Sequence, residues 1–357
     1  MIGSNNESSK EVKMNRKYVP ILRWKSGEKT CLERLTEEIS NQITPFVEVP
    51  TPSDSQTEEA AEKKYNKLLT SFNEIWPEKP FYLYLTDGWY DNLDSTEQIT
   101  NIYKNFFDSI KHPFAIPSFN VSDELNIENI SELSPDFRVC LRISGNEFEY
   151  LSSTLDYYIS NGWIIPQKTD LLFDLKYIDE DIYPKKTVLT TAIADVTNIS
   201  EYNSIIISSC SFPKEISTLK TDTVSEFPRY EIKINDVAKK LQKAFLFNYV
   251  YSDYGPMNLN DTPFVLGMTP NFKIKYTTKD KYLIVKGISL KKGGLDLMNV
   301  VKCCKLIYRH ADFSGEAFSY GDKVIADTAN GIAIKSGNLT NWVGYSLNHH
   351  ITLICTL

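Results

Sequence analysis

Short apolar runs that end on charged or polar residues, each followed by a stretch of helical period, recur from Tyr18 to about Phe247, and this alternation limits the possible folds more than any other feature of the chain. The first instance is Tyr18-Val-Pro-Ile-Leu-Arg-Trp-Lys-Ser-Gly-Glu28. Val19 to Leu22 reads as a strand, Arg23, Lys25 and Glu28 as its charged tip, and Leu32, Leu35 and Ile39 as the apolar stripe of a helix. Further strands are expected at 43–49, 81–85, 114–116, 137–143, 171–174, 204–208 and 228–234. Helices are expected at 57–76, 95–110, 124–133, 147–159, 186–199 and 235–247, the last capped by Asn235. Strands that alternate with helices imply a parallel sheet, because the chain must cross over between neighbours. About eight such units predict an α/β fold of the closed (β/α)8, TIM-like barrel type, with an open doubly wound sheet as the alternative.

From about Asn248 the rhythm changes. Segments 273–277 and 282–288 read as paired strands joined by Thr278-Lys-Asp-Lys281, segment 295–308 reads as an amphipathic helix, and a last apolar segment contains His349 and His350. The expected organisation is a disordered N-terminal tail at 1–17, a barrel-like domain at 18–250 and a small C-terminal α+β domain at 258–357. The break falls where Tyr254-Gly-Pro and Asn258-Leu-Asn-Asp interrupt the periodicity.

Composition narrows the function classes. A chain of 357 residues with 42% hydrophobic and 24% charged residues can bury a core of this size. A formal charge of −7 argues against binding duplex nucleic acid through bulk electrostatics, while leaving room for a local anion pocket. No apolar run approaches the roughly 20 residues of a membrane span, so no membrane partner is expected, and the polar N-terminus lacks the apolar centre of a signal peptide. Six cysteines without a CxxC pair predict buried thiols in a reducing compartment, hence a cytoplasmic protein. GxGxxG, Walker, HExxH and GxSxG signatures are all missing, so no cofactor can be named. The adjacent His349 and His350 cannot share one face of a helix or strand, so no metal site is assigned to them.

In a barrel of this type the active site lies at the C-terminal ends of the strands. Alternation on the expected eighth strand sends Arg229, Glu231 and Lys233 into the lumen, opposite Tyr230, Ile232 and Ile234. On the fifth it sends Arg138, Cys140 and Arg142 inward, and on the first Arg23 and Lys25. With Glu48, Asp87 and Asp174 at other strand ends, the mouth mixes cations with carboxylates. On the functional reading, Arg23, Lys25, Glu28, Arg142, Arg229, His349 and His350 form a ligand site, the arginine forks holding a phosphate or carboxylate. Glu48, Asp174 and Glu231 are then the catalytic acids, bases or metal ligands. The competing explanation is an ion-pair network that satisfies itself and plugs the barrel. Tyr82, Tyr84, Trp89 and Tyr90, on or just beyond the third strand, either stack on a base or pack core and rim.

Several of these segments together resemble the beta protein family, named for a protein of T-even phages and also found in bacterial genomes. They are the first strand and its tip, Val19 to Glu28; Ile43-Thr-Pro-Phe-Val-Glu48; Leu172-Phe-Asp-Leu175; Pro228-Arg229; and Ser252-Asp-Tyr-Gly255. Phe318-Ser-Tyr-Gly-Asp322, Gly337-Asn-Leu-Thr-Asn-Trp342 and Asn348-His-His-Ile-Thr352 complete the set. The resemblance carries over no reaction and no catalytic residue, and whether the protein is an enzyme stays open. It implies a setting of phage–host conflict, anti-phage defence or a mobile element, and it ties the C-terminal stretch to the same functional unit as the first strand. The leading expectation is a component that binds, and on the enzymatic reading processes, a phosphate-bearing small molecule or nucleotide at the barrel mouth. The alternative is a non-enzymatic subunit that binds a protein partner in a defence complex.

Overall fold

The computed structural model describes residues 16–52, 57–91, 95–259, 269–290, 294–332 and 337–357. The expected tail at 1–17 lies outside the described residues apart from Arg16 and Lys17. Seven parallel strands run in sequence order: β1 (Tyr18–Arg23), β2 (Phe46–Val49), β3 (Phe81–Leu85), β4 (Ala115–Asn120), β5 (Val139–Ile143), β6 (Thr169–Tyr177) and β7 (Ser204–Cys210). The next strand, β8 (Val224–Pro228), lies outside this sheet, and β9 (Tyr249–Asp253) closes the barrel by pairing with both β7 and β1. The fold is a closed eight-stranded parallel barrel of the TIM type.

The two-residue alternation of each strand builds two cores. Leu22, Val47, Leu83, Leu141, Phe173 and Ile205 point outward to the helices. Val19, Ile21, Phe46, Ile116, Leu172, Ile206 and Val250 fill the lumen. Helices α1 (Ser26–Glu33) and α2 (Glu37–Ser40) follow β1, α3 (Glu58–Ile75) follows β2 and α4 (Thr96–Ile110) follows β3. Then α5 (Glu124–Glu128) and α6 (Ile130–Leu133) follow β4, α7 (Glu147–Ser160) follows β5 and α8 (Tyr183–Asp195) follows β6. Thr57 caps α3 by accepting from the Ala60 N–H, and Ser95 with Gln98 forms a capping box on α4.

The expected eighth strand, 228–234, is corrected by the structure. Residues from Glu231 onward form α9 (Glu231–Phe245), and Asn235 lies inside this helix rather than at its cap. The alternation of Tyr230, Ile232 and Ile234 is real but short. Ile234, Ala238 and Leu241 continue it at helical spacing, and that longer stripe is what the core buries. The true closing strand, Tyr-Val-Tyr-Ser-Asp at 249–253, is short, ends on polar residues and straddles residue 250.

β8 instead joins β10 (Asn271–Thr277) and β11 (Lys281–Ser289) in an antiparallel sheet of order β10-β11-β8. One face of this sheet, with Tyr282, Ile284 and Phe227, packs with Phe212 on the lumen core and so roofs the barrel. The other face, with Phe272, Ile274, Tyr276, Leu283 and Val285, packs against α10 (Leu297–Tyr308), α11 (Tyr320–Ala329) and α12 (Leu339–Thr356). Helix α12 joins the two cores: Trp342 lies in the roof core, and Leu347, Ile351 and Cys355 lie in the shell around the barrel.

Candidate ligand site at the barrel mouth

The barrel is plugged at both ends by charge. At the N-terminal end, the Arg16 guanidinium enters the lumen between Tyr82, Ser204 and Asp170, and the Tyr82 hydroxyl donates to Asp170 at 2.6 Å. At the C-terminal end, Arg142 projects inward from β5 as alternation requires. It donates to Asp174 at 2.6 Å, to Glu48 at 2.8 Å and to the Tyr254 hydroxyl at 2.8 Å. The rings of Phe46 and Tyr84 lie 5.4 and 5.1 Å from its guanidinium. Tyr254 in turn donates to Asp174, and the Lys176 ammonium lies 2.9 Å from the same carboxylate. Burial alone would raise the Asp174 pKa, but Arg142 and Lys176 outweigh it and hold the carboxyl down at about 2. Arg142, Asp174 and Glu48, expected at the mouth from three separate strands, do meet there, and their charges are paired with one another.

Arg23, at the end of β1, approaches Glu48 at 3.9 Å and donates to the Leu259 carbonyl. Beside it lies a groove of ≈ 370 Å³ lined by Arg23, Lys25, Ser26, Gly27, Glu28, Met257, Leu339, Thr340 and Val343. A narrower recess below it reaches Glu48 and Tyr254 and shares Arg23 and Glu28 with the groove. α1 starts at this wall. Its N-cap, Lys25, offers no side-chain acceptor, and in the first turn the Glu28 N–H donates to the Glu28 carboxylate itself. Glu28 is only 3% exposed, and burial pushes its carboxyl up against the hydrogen bond from its own backbone N–H and the pull of Lys25, Arg23 and Lys275. Gly27 has a packing reason rather than a phosphate-loop one. A Cβ there would lie 2.9 Å from Val343 Cγ1, and a Cβ on Gly344 would lie 2.7 Å from the Gly27 carbonyl oxygen, so the pair lets α1 and α12 touch.

Arg229 and Glu231, expected in the lumen, sit elsewhere. They mark the passage from β8 into α9, at the seam between roof and barrel. There Arg229 donates to Glu231 at 2.6 Å and to the Thr278 carbonyl, and Tyr282 and Ser211 donate to the same carboxylate. His350 and His349 lie in the interior of α12. His350 contacts Thr277 Oγ1 at 2.9 Å and Asp253 at 3.0 Å, while His349 bridges Asp322 and the Thr277 carbonyl at 2.7 Å each. The two rings thus straddle one residue of the roof, and neither lines the groove. Tyr82 and Tyr84 belong to the lumen core, and Trp89 donates to the Val49 carbonyl and packs on Phe106. Asp87 opens a one-turn 3₁₀ helix, Asp87–Trp89, after β3.

Two contributors had no signal in strand-end reasoning. Tyr254 follows the misassigned closing strand, and Lys275 comes from the roof. The Lys275 ammonium lies 4.9 Å from the centre of the Phe212 ring; burial and neighbouring Lys273 push it down to about 8, against the pull of Glu28. Sheet alternation on 273–277 would have shown Lys275 to be opposite in phase to the apolar Ile274 and Tyr276, but nothing local shows that this face meets the barrel. All six cysteines are buried free thiols. Among the described residues no three His, Cys, Asp or Glu side chains converge as metal ligands, and no helix is long and apolar enough to cross a membrane.

Comparison with curated proteins and with solved structures gave no match. The pattern of one family, described as Beta protein, matches residues 18–355, from the first residue of β1 almost to the end of α12. That span includes the barrel, its roof and every side chain of the mouth, and the chain therefore belongs to the Beta protein family.

Proposed function

We propose that the barrel mouth binds a phosphate-bearing ligand, a nucleotide being the leading class, with Arg23 and Lys25 at the start of α1 as the anion-holding wall. The observation that carries this reading is the ≈ 370 Å³ groove in which two cations flank a helix start. Met257, Leu339 and Val343 supply an apolar side for a base or sugar. If the ligand is processed, the carboxyls placed to act are Glu28, which lines the groove, and Glu48, which lines the recess beneath it. Asp174 serves this reading by holding Arg142, which in turn binds Glu48, in position. The cytoplasmic setting in phage–host conflict is proposed on family membership, through the occurrence that the resemblance implies. A protein-binding role is the alternative, favoured by the exposed Leu297 and Met298 at the start of α10.

Thermal-shift measurement against a panel of nucleotides tests the ligand reading. A ligand at about 100 times its Kd stabilises the folded state by about 2.7 kcal/mol, a shift of several degrees. Arg23→Ala/Lys25→Ala should abolish the shift. A flat response of the wild-type protein across the whole panel would refute the proposal.

A further inference from the structure

The narrow recess beneath the groove shares Arg23, Glu28 and Met257 with it and adds Glu48, Tyr254 and Asn258. Its volume of ≈ 10 Å³ is about the room that one oxygen-sized group needs, so it excludes a phosphate and admits a single small group attached to whatever the groove holds. Most of the polar atoms around it are engaged. The Tyr254 hydroxyl donates to Asp174 and accepts from Arg142 and Lys176, the Asn258 amide donates to the Lys214 carbonyl, and the Glu28 carboxyl takes its own backbone N–H. Glu48 is half engaged. Its Oε1 accepts from Arg142 at 2.8 Å, whereas its Oε2 accepts no hydrogen bond among the described residues. Arg23 Nε lies 3.9 Å from that oxygen, beyond hydrogen-bond reach. The Glu48 side chain is 12% exposed, and a carboxylate oxygen held this far from solvent is costly without a donor.

These two neighbours decide which group fits. A carbonyl or phosphate oxygen would be repelled by the Glu48 carboxylate. An ammonium would face the Arg23 guanidinium and has no lone pair to offer it. A hydroxyl donates to Glu48 Oε2 and accepts from Arg23 Nε at once. Arg23 also lines the groove, so a phosphate on its groove side and a hydroxyl on its recess side are separated by the span of one guanidinium, a few bonds of ligand. We propose that Glu48 and Arg23 select a phosphoester whose neighbouring carbon carries a free hydroxyl, as in a ribonucleoside 3′-phosphate or glycerol 3-phosphate. The hydroxyl enters the recess and the phosphate stays in the groove. This rests on the reading of the groove as a phosphate site.

Titration calorimetry on the full chain with adenosine 3′-phosphate, 2′-deoxyadenosine 3′-phosphate and glycerol 3-phosphate tests this. Wild-type protein should bind the ribonucleotide at least about tenfold more tightly than its 2′-deoxy counterpart, because loss of the hydroxyl leaves Glu48 Oε2 without its donor. Glu48→Gln, shown to be folded by its thermal transition, should narrow that gap, since a neutral amide takes a weaker hydrogen bond than a carboxylate. Arg23→Ala/Lys25→Ala should weaken all three ligands. Glycerol 3-phosphate matching the ribonucleotide would support the inference with the hydroxyl phosphoester as the whole recognised unit, and tighter ribonucleotide binding would support it with a base on the apolar side of the groove. Equal wild-type affinities for the two adenosine phosphates, or a gap unchanged in folded Glu48→Gln, would overturn the inference and leave the phosphate reading standing. Failure of all three ligands to bind the wild-type protein would remove both.

Discussion

Arg142 is held inside the barrel by two carboxylates and a phenol, an arrangement in which no member can be removed without leaving a buried charge or dipole unmatched. The acid response of the protein should follow. Asp174 has a folded pKa of about 2, below the ordinary value near 4 that it takes when unfolded. The resulting stabilisation, about 2 kcal/mol, is complete above pH ~4 and is lost as the pH falls through about 2. Urea denaturation at pH 5 and pH 2 should show the wild type losing about 2 kcal/mol more than Asp174→Asn; equal losses would contradict the assignment. The inward direction of Arg142 was legible from the alternation of 139–143. Its partners were not, because Asp174, Glu48 and Tyr254 lie 32, 94 and 112 residues away along the chain and meet it only when the barrel closes.

Among the elements, α12 shows how a motif that looks functional can be structural. Asn338 and Asn341 form the capping box that starts it, Trp342 fills the roof core, and Asn348 links the Gly321 N–H to the Cys31 carbonyl. A helix buried this completely needs partners for every polar group, and the Asn-His-His run finds them on α1, α11, β9 and β10. Gly344→Ala would place a methyl 2.7 Å from the Gly27 carbonyl oxygen and force α1 and α12 apart. It should cost about 1–3 kcal/mol in chemical denaturation. Because Lys25 and the start of α1 would move with it, nucleotide-induced stabilisation should fall as well. A stability within 0.5 kcal/mol of wild type, on the order of a neutral surface change, would show that the helices are not in contact.

The whole molecule is interlocked rather than strung together. β8 leaves the barrel sequence to complete the roof, the chain returns as β9 to close the barrel, and α12 comes back to cover β1 and its helix. A fragment ending at residue 259 keeps all eight barrel strands but leaves β8 without β11, and the shell around Leu22 and Cys31 without Leu347 and Ile351. We expect this fragment to lack a cooperative thermal transition by circular dichroism, whereas a sharp transition would show that the barrel folds by itself.

Local periodicity favoured a closed barrel over an open parallel sheet and gave the inward direction of Arg23 and Arg142, because the two-residue period of a strand and the longer period of a helix are written in adjacent side chains. It failed at 228–234, where the two periods coincide over a few residues and the choice depends on what buries the longer stripe. The roof over the mouth, and the seating of Arg229 on the Thr278 carbonyl and of Glu231 beneath the Tyr282 hydroxyl at the seam, were decided by the tertiary structure. Each depends on contacts between elements far apart in sequence, whose packing no local pattern encodes.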